Sequence, residues 1–183
     1  LLIHTGYHHF GWDQPYADEI RYMVKHPGPD REFSEWAVKK GIKWIAVDCG
    51  SADHPMNTIV RQWMPRQAKE AEAHFVKKYG TTLADRFDDS KYQLMHFDLF
   101  PEHIIHAECI GGEIDLLLNR RVTVGFFPWR FVDGESSIGR CVAFLEDAEY
   151  AELLARKAAL PVTKFGDAYD PSHVERINAN SRR

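Results

Sequence analysis

The chain is short of cysteine: it has only Cys49, Cys109 and Cys141, an odd and widely spaced set with no C-x-x-C pair. That fits a reduced, cytoplasmic protein better than a disulfide scaffold or a structural zinc knuckle. No apolar run reaches the roughly eighteen residues needed to cross a bilayer. Basic charge is not in excess either, since 23 Lys and Arg against 27 Asp and Glu leave a formal net charge of −4. Nucleic-acid binders usually present a basic face, and Arg120–Arg121 and Arg182–Arg183 read as solvated ends too small to make one. A secretory signal, an internal repeat and a low-complexity tract are all missing. So are G-x-S-x-G, a Walker loop, G-x-G-x-x-G and H-E-x-x-H, which leaves serine-hydrolase, nucleotide-binding and zincin chemistry without support.

What is present is enough for a well-packed domain: 183 residues, 44% of them hydrophobic. Leu1–Thr5 reads as a strand and Gly6–Pro15 as a loop dense in His and aromatics. A helical turn or two over residues 15–26 is broken by the HPGPD stretch. Asp30 is placed to cap a helix with Phe33, Trp36 and Ala37 on one face and Gly41 as its stop. Lys43–Asp48 reads as a buried strand, followed by a polar turn over Cys49–Pro55. Pro65 opens a long helix carrying Ala68, Ala71 and Phe75 on one face, with Gly80 just past its end. Residues 81–95 read as irregular apart from a turn at Leu83–Phe87. Ile104–Glu108, Val122–Phe127 and Arg140–Leu145 read as strands. Asp147 caps a helix with a stripe of Tyr150, Leu153, Leu154 and Ala158, ended by Pro161. The pattern predicts an α/β or α+β fold with a mixed sheet.

Ten histidines are many for this length, and their clustering is informative. His8 and His9 lie in the first loop and His54 in the turn after a strand. His96, His103 and His106 fall within the segment from His96 to Phe131, which also holds Glu108. In an extended 104–108 segment, alternation puts His106 and Glu108 on one face. Neutral imidazole with carboxylate is the ligand set that Zn²⁺ or Mn²⁺ accepts. A catalytic site of that kind normally takes three protein ligands and keeps one position open. His103 with Glu113 is a rival pair, although Glu113 also reads as a solvated loop carboxylate. Ser51 and Asp53 can form the turn's own side-chain-to-backbone hydrogen bonds. Trp129, beside Pro128, can line a pocket for a planar ring or close a core. Gly111–Gly112 provides backbone freedom.

From Leu1 to Leu145 the chain resembles the C-terminal two-thirds of the cyclase family of metal-dependent hydrolases, which includes kynurenine formamidase and isatin hydrolase. The resemblance rests on HTG at 4–6, W-A-x-K-K-G-I at 36–42 and VDCGSADHP at 47–55. It continues with His96 and Glu108 twelve residues apart, IGGEID at 110–115, RRVTVGFFPWRF at 120–131 and the strand at 140–145. It implies a twisted, partly closed mixed β-sheet with flanking helices, residues 1–160 forming the C-terminal part of a single cyclase-like domain. The polar residues 161–183, broken by Gly and Pro, read as a C-terminal arm. The resemblance also implies that His96 and Glu108 are metal ligands. His106 is then a third ligand, a partner holding Glu108, or a donor to substrate. Ser51 and Trp129 are the candidate substrate-binding residues.

The implied activity is hydrolysis of a C–N bond in a small cyclic or aryl amide by a water activated on Zn or Mn, with Glu108, or a histidine from the N-terminal segment missing here, relaying the proton. The family's H-x-G-T-H-x-D-x-P-x-H motif is not in this chain, and Leu1–Gly6 reads as a strand interior without an initiator Met. The chain is therefore expected to be part of a longer gene product, with a companion N-terminal segment or chain supplying further ligands, or else a truncated and metal-poor relative. In either case it is expected to assemble as a homo-oligomer. The alternatives are a non-catalytic binding or assembly subunit of the same fold, and a lyase or isomerase on the same scaffold.

Overall fold

The computed structural model describes residues 1–87 and 90–159, with side chains of the last helix described to residue 155. Among these residues the chain falls into two compact units, Leu1–Gly111 and a second beginning at Gly112.

The first unit is built on three parallel strands, β1 (Leu2–Ile3), β2 (Trp44–Val47) and β3 (Ile105–Ala107), in the order β1-β2-β3. Ile45 and Ala46 of the central strand are fully buried, which suits a parallel sheet covered on both faces and explains the unbroken apolar run in β2. Helices α1 (Glu19–Val24) and α2 (Arg31–Lys39) precede β2. Between β2 and β3 come α3 (Val60–Trp63), α4 (Pro65–Tyr79), α5 (Leu83–Arg86) and α6 (Leu94–Leu99). One core cluster joins Ala37 of α2 and Met95 and Leu99 of α6 to Ile45, Val47, Cys49, Ala52 and Ile104. A second joins Val24, Met56, Leu83 and Phe87, with Ala68, Ala71 and Phe75 of α4 packed on it.

Local signals account for most helix ends. Pro65 sits at the start of α4, and Gly80 closes it in the left-handed region at φ +67°. Thr82 and Asp85 form a reciprocal capping box on α5. Asp30 has the extended backbone of a cap, but its side chain makes no capping hydrogen bond. It accepts one from Arg86 at 3.4 Å instead.

In the second unit, β4 (Thr123–Pro128) and β5 (Gly139–Phe144) form an antiparallel pair, followed by α7 (Asp147–Ala159). The stripe expected on α7 is narrower than its spacing suggests: Leu153 is buried, whereas Tyr150 and Leu154 are exposed. Ala158's side chain and the arm at 161–183 lie outside the described residues. Neither sheet is closed, so the partly closed mixed sheet is not seen among the described residues. The observed architecture is mixed α/β with two small sheets.

Candidate metal centre

In a parallel sheet the carboxyl ends of neighbouring strands emerge side by side, and functional side chains collect there. β2 ends at Val47 and β3 at Ala107, and the chains beyond them stay tied, with Ile110 N–H on the Val47 carbonyl and Cys109 N–H on that of Cys49. Glu108 is therefore delivered to the polar turn after β2. Its Oε1 accepts the Ala52 N–H at 2.7 Å and the Ser51 hydroxyl at 3.1 Å. Burial works against its charge, but the hydrogen bonds from His106, Ala52 and Ser51 outweigh that and hold its carboxyl below the ordinary range.

His106 stands two residues before Glu108 on the same face of the strand. Its Nε2 is 3.5 Å from Glu108 Oε1. That is long for a strong hydrogen bond. It is close to the ~3.4 Å that separates two ligands each ~2.1 Å from a tetrahedral ion. The Phe100 ring stacks on His106 with centroids 4.8 Å apart, and the His106 side chain is almost wholly enclosed. Its Nδ1 has no hydrogen-bond partner among the described residues.

His96 comes from α6, a helix that begins without a capping side chain of its own. The turn after β2 caps it from a distance. Asn57 Oδ1 accepts Leu94 N–H at 3.0 Å and Asp53 Oδ1 accepts Met95 N–H at 2.6 Å, which satisfies two orphan donors of the first turn. The other oxygen of the buried Asp53 meets His96 Nδ1 at 2.6 Å. A carboxylate can only accept, so Nδ1 carries the proton and Nε2 keeps its lone pair. His96 and His106 meet edge to face with centroids 4.4 Å apart. His96, His106 and Glu108 each offer a ligand atom within 4.8 Å of the other two.

These residues fit a divalent ion. Two imidazoles and one carboxylate form a familiar catalytic zinc set that leaves a position open, and a carboxylate behind one histidine is its usual outer support.

Of the other candidates, Ser51 touches this cluster. Ser51 accepts Asp53 N–H at 3.1 Å while donating to Glu108, so it belongs to the support of the carboxylate. Trp129 is in the second unit and largely exposed. His103 is exposed at the end of a short helical turn, and Glu113 falls in the other unit. His54 Nδ1 accepts Met56 N–H at 3.1 Å, and its ring lies against Phe75 and Phe87. Burial, with His26 nearby, pushes its pKa down to about 4, so it is neutral at pH 7. His54 and His26 also line a cleft of ≈ 730 Å³ with Phe75, Tyr79 and Phe87, to which His96, His106 and Glu108 contribute nothing. The atoms able to ligate an ion converge at His96, His106 and Glu108, away from the lining of this cleft. Sequence reasoning missed Asp53 as the partner of His96, because 43 residues separate them.

The fold and this cluster define an α/β protein with a candidate metal centre at the carboxyl edge of a parallel sheet. A family model described as putative cyclase matches residues 1–54, which supports the cyclase family. Comparison with curated proteins and with solved structures returned no match.

Proposed function

We propose that the chain is a metal-dependent hydrolase that cleaves the C–N bond of a small cyclic or aryl amide. The convergence of His96, His106 and Glu108 on one point, with His96 fixed by buried Asp53, carries this reading. His96 and His106 hold the ion through their Nε2 atoms and Glu108 through its carboxylate. The ion, Zn²⁺ or Mn²⁺, supplies Lewis-acid activation of water and of the amide carbonyl. Asp53 keeps the proton of His96 on Nδ1. Ser51 and Ala52 pin Glu108 and lower its proton affinity, which suits an anionic ligand better than a proton shuttle. Phe100 covers His106 and limits the approach of water from that side.

The test is metal content together with turnover on a panel of aryl and cyclic amides. His96→Ala and Glu108→Gln are each expected to remove the bound ion and to lower turnover by ~100-fold or more. Full metal content and full activity in both variants would overturn the assignment.

A further inference from the structure

A second imidazole–carboxylate cluster lies at the same edge of the sheet, on the β1 side of β2, and the hydrolase reading does not use it. The chain leaves β1 at Ile3 and curls into a helical turn at Tyr7–Phe10. Asp48, the first residue after β2 and fully buried, holds that curl. Its Oδ1 accepts Thr5 N–H at 2.7 Å and the Thr5 hydroxyl at 2.5 Å. Its Oδ2 accepts Gly6 N–H at 2.8 Å and His8 Nδ1–H at 2.8 Å. Four donors on two oxygens keep Asp48 ionised, and its carboxyl is held well below the ordinary range.

The consequence for His8 follows from that one bond. With the proton fixed on Nδ1, Nε2 keeps the lone pair that a cation needs. His8 is 5% exposed. The His4 ring meets it edge-on with centroids 5.3 Å apart, and the His9 ring lies 4.0 Å away on the same turn. His4, His8 and Asp48 each offer a ligand atom within 4.8 Å of the other two. Thr5 and Gly6 alone already tie the turn to Asp48. The imidazoles beside it set neutral nitrogen ligands around the buried negative charge of Asp48, which is how a site for a borderline divalent cation is built. Imidazole selects Zn²⁺, Co²⁺ or Ni²⁺ over Mg²⁺ or Ca²⁺.

We propose that His4 and His8 hold a second divalent cation, separate from the one at His96, His106 and Glu108, with Asp48 behind His8 as its orienting carboxylate. Both Asp48 oxygens are committed to donors, so the protein supplies two nitrogen ligands. The other positions are left to water or to a small anion. With one protein ligand fewer, this site binds more weakly than the three-ligand centre.

The experiment is equilibrium dialysis of the chelator-stripped full chain against Co²⁺ and, separately, Zn²⁺, with bound metal counted by mass spectrometry. The chain is expected to take two equivalents, the second at least tenfold weaker. His4→Gln should remove the weaker equivalent alone, and His96→Gln with Glu108→Gln the tighter one alone. His8 is buried, so His8→Gln is checked for folding by circular dichroism. His4 is only half-buried and leaves the Asp48 bonds intact, so His4→Gln decides the matter. In the doubly substituted 96/108 background, Zn²⁺ should shift the ring-proton NMR signals of His4 and His8. One equivalent in the parent chain, unchanged by His4→Gln, would overturn the proposal and leave the hydrolase centre standing. One equivalent lost only with His4→Gln would support it and remove that centre instead.

Discussion

Asp53 shows how much one side chain can decide. Its two oxygens set the start of α6 and the tautomer of His96. Asp53→Asn should lower metal affinity at His96 by about 10–100-fold, measured by competition with a chromogenic chelator. Asp53→Ala should lower it further and also destabilise the helix start. The sequence showed Ser51 and Asp53 as a polar turn, and the Ser51 hydroxyl does take the Asp53 N–H. The carboxylate's true target was not legible, because no local pattern records a contact made across 43 residues.

His54 gives a pH prediction at the same scale. Its pKa is lowered from 6.5 to about 4 by burial. The unfolded chain therefore takes up a proton near pH 6.5 that the folded chain refuses until near pH 4. Its contribution is complete above pH 6.5 and is lost as the pH falls toward 4. Urea midpoints should drop between pH 7.5 and pH 5, and His54→Phe should shrink that drop. His26, buried and shifted in the same direction, accounts for part of what remains.

At the scale of elements, periodicity and end signals placed β2, α2, α4, β4 and β5 within a few residues. The helix α6 was not legible. It has six residues, it starts behind Gln93 in the left-handed region at φ +59°, and its donors are satisfied by Asn57 and Asp53 from a distant loop. A helix capped by remote groups leaves no mark in its own sequence. Asn57→Ala should accordingly cost about 1–3 kcal/mol in urea unfolding, since it strips a buried acceptor from Leu94 N–H. Leu99→Ala, which empties a fully buried position on the other side of α6, should cost about 2–5 kcal/mol. The exposed Tyr150 and Leu154 teach the converse lesson. Helical spacing shows which residues share a face, but not whether another element arrives to cover it.

At the largest scale, the mixed α/β character followed from alternating strand and helix signals, whereas the partly closed mixed sheet was an expectation of the resemblance that is not seen among the described residues. The candidate trio was partly legible, because His106 and Glu108 share a strand face. The arrival of His96 depended on a long excursion between β2 and β3. An ion bound by the folded chain alone stabilises it by mass action, roughly 2.7 kcal/mol at a free concentration a hundred times the Kd. Thermal unfolding should therefore move to lower temperature on treatment with a chelator and return when Zn²⁺ is restored.

Asp48 and Asp53 leave the central strand only five residues apart, and each steadies a different imidazole. A displacement of that short stretch reaches His8 and His96 together. Any effect that an ion bound beside His8 has on the affinity beside His96 must, by thermodynamic reciprocity, be matched by an equal effect in the opposite direction.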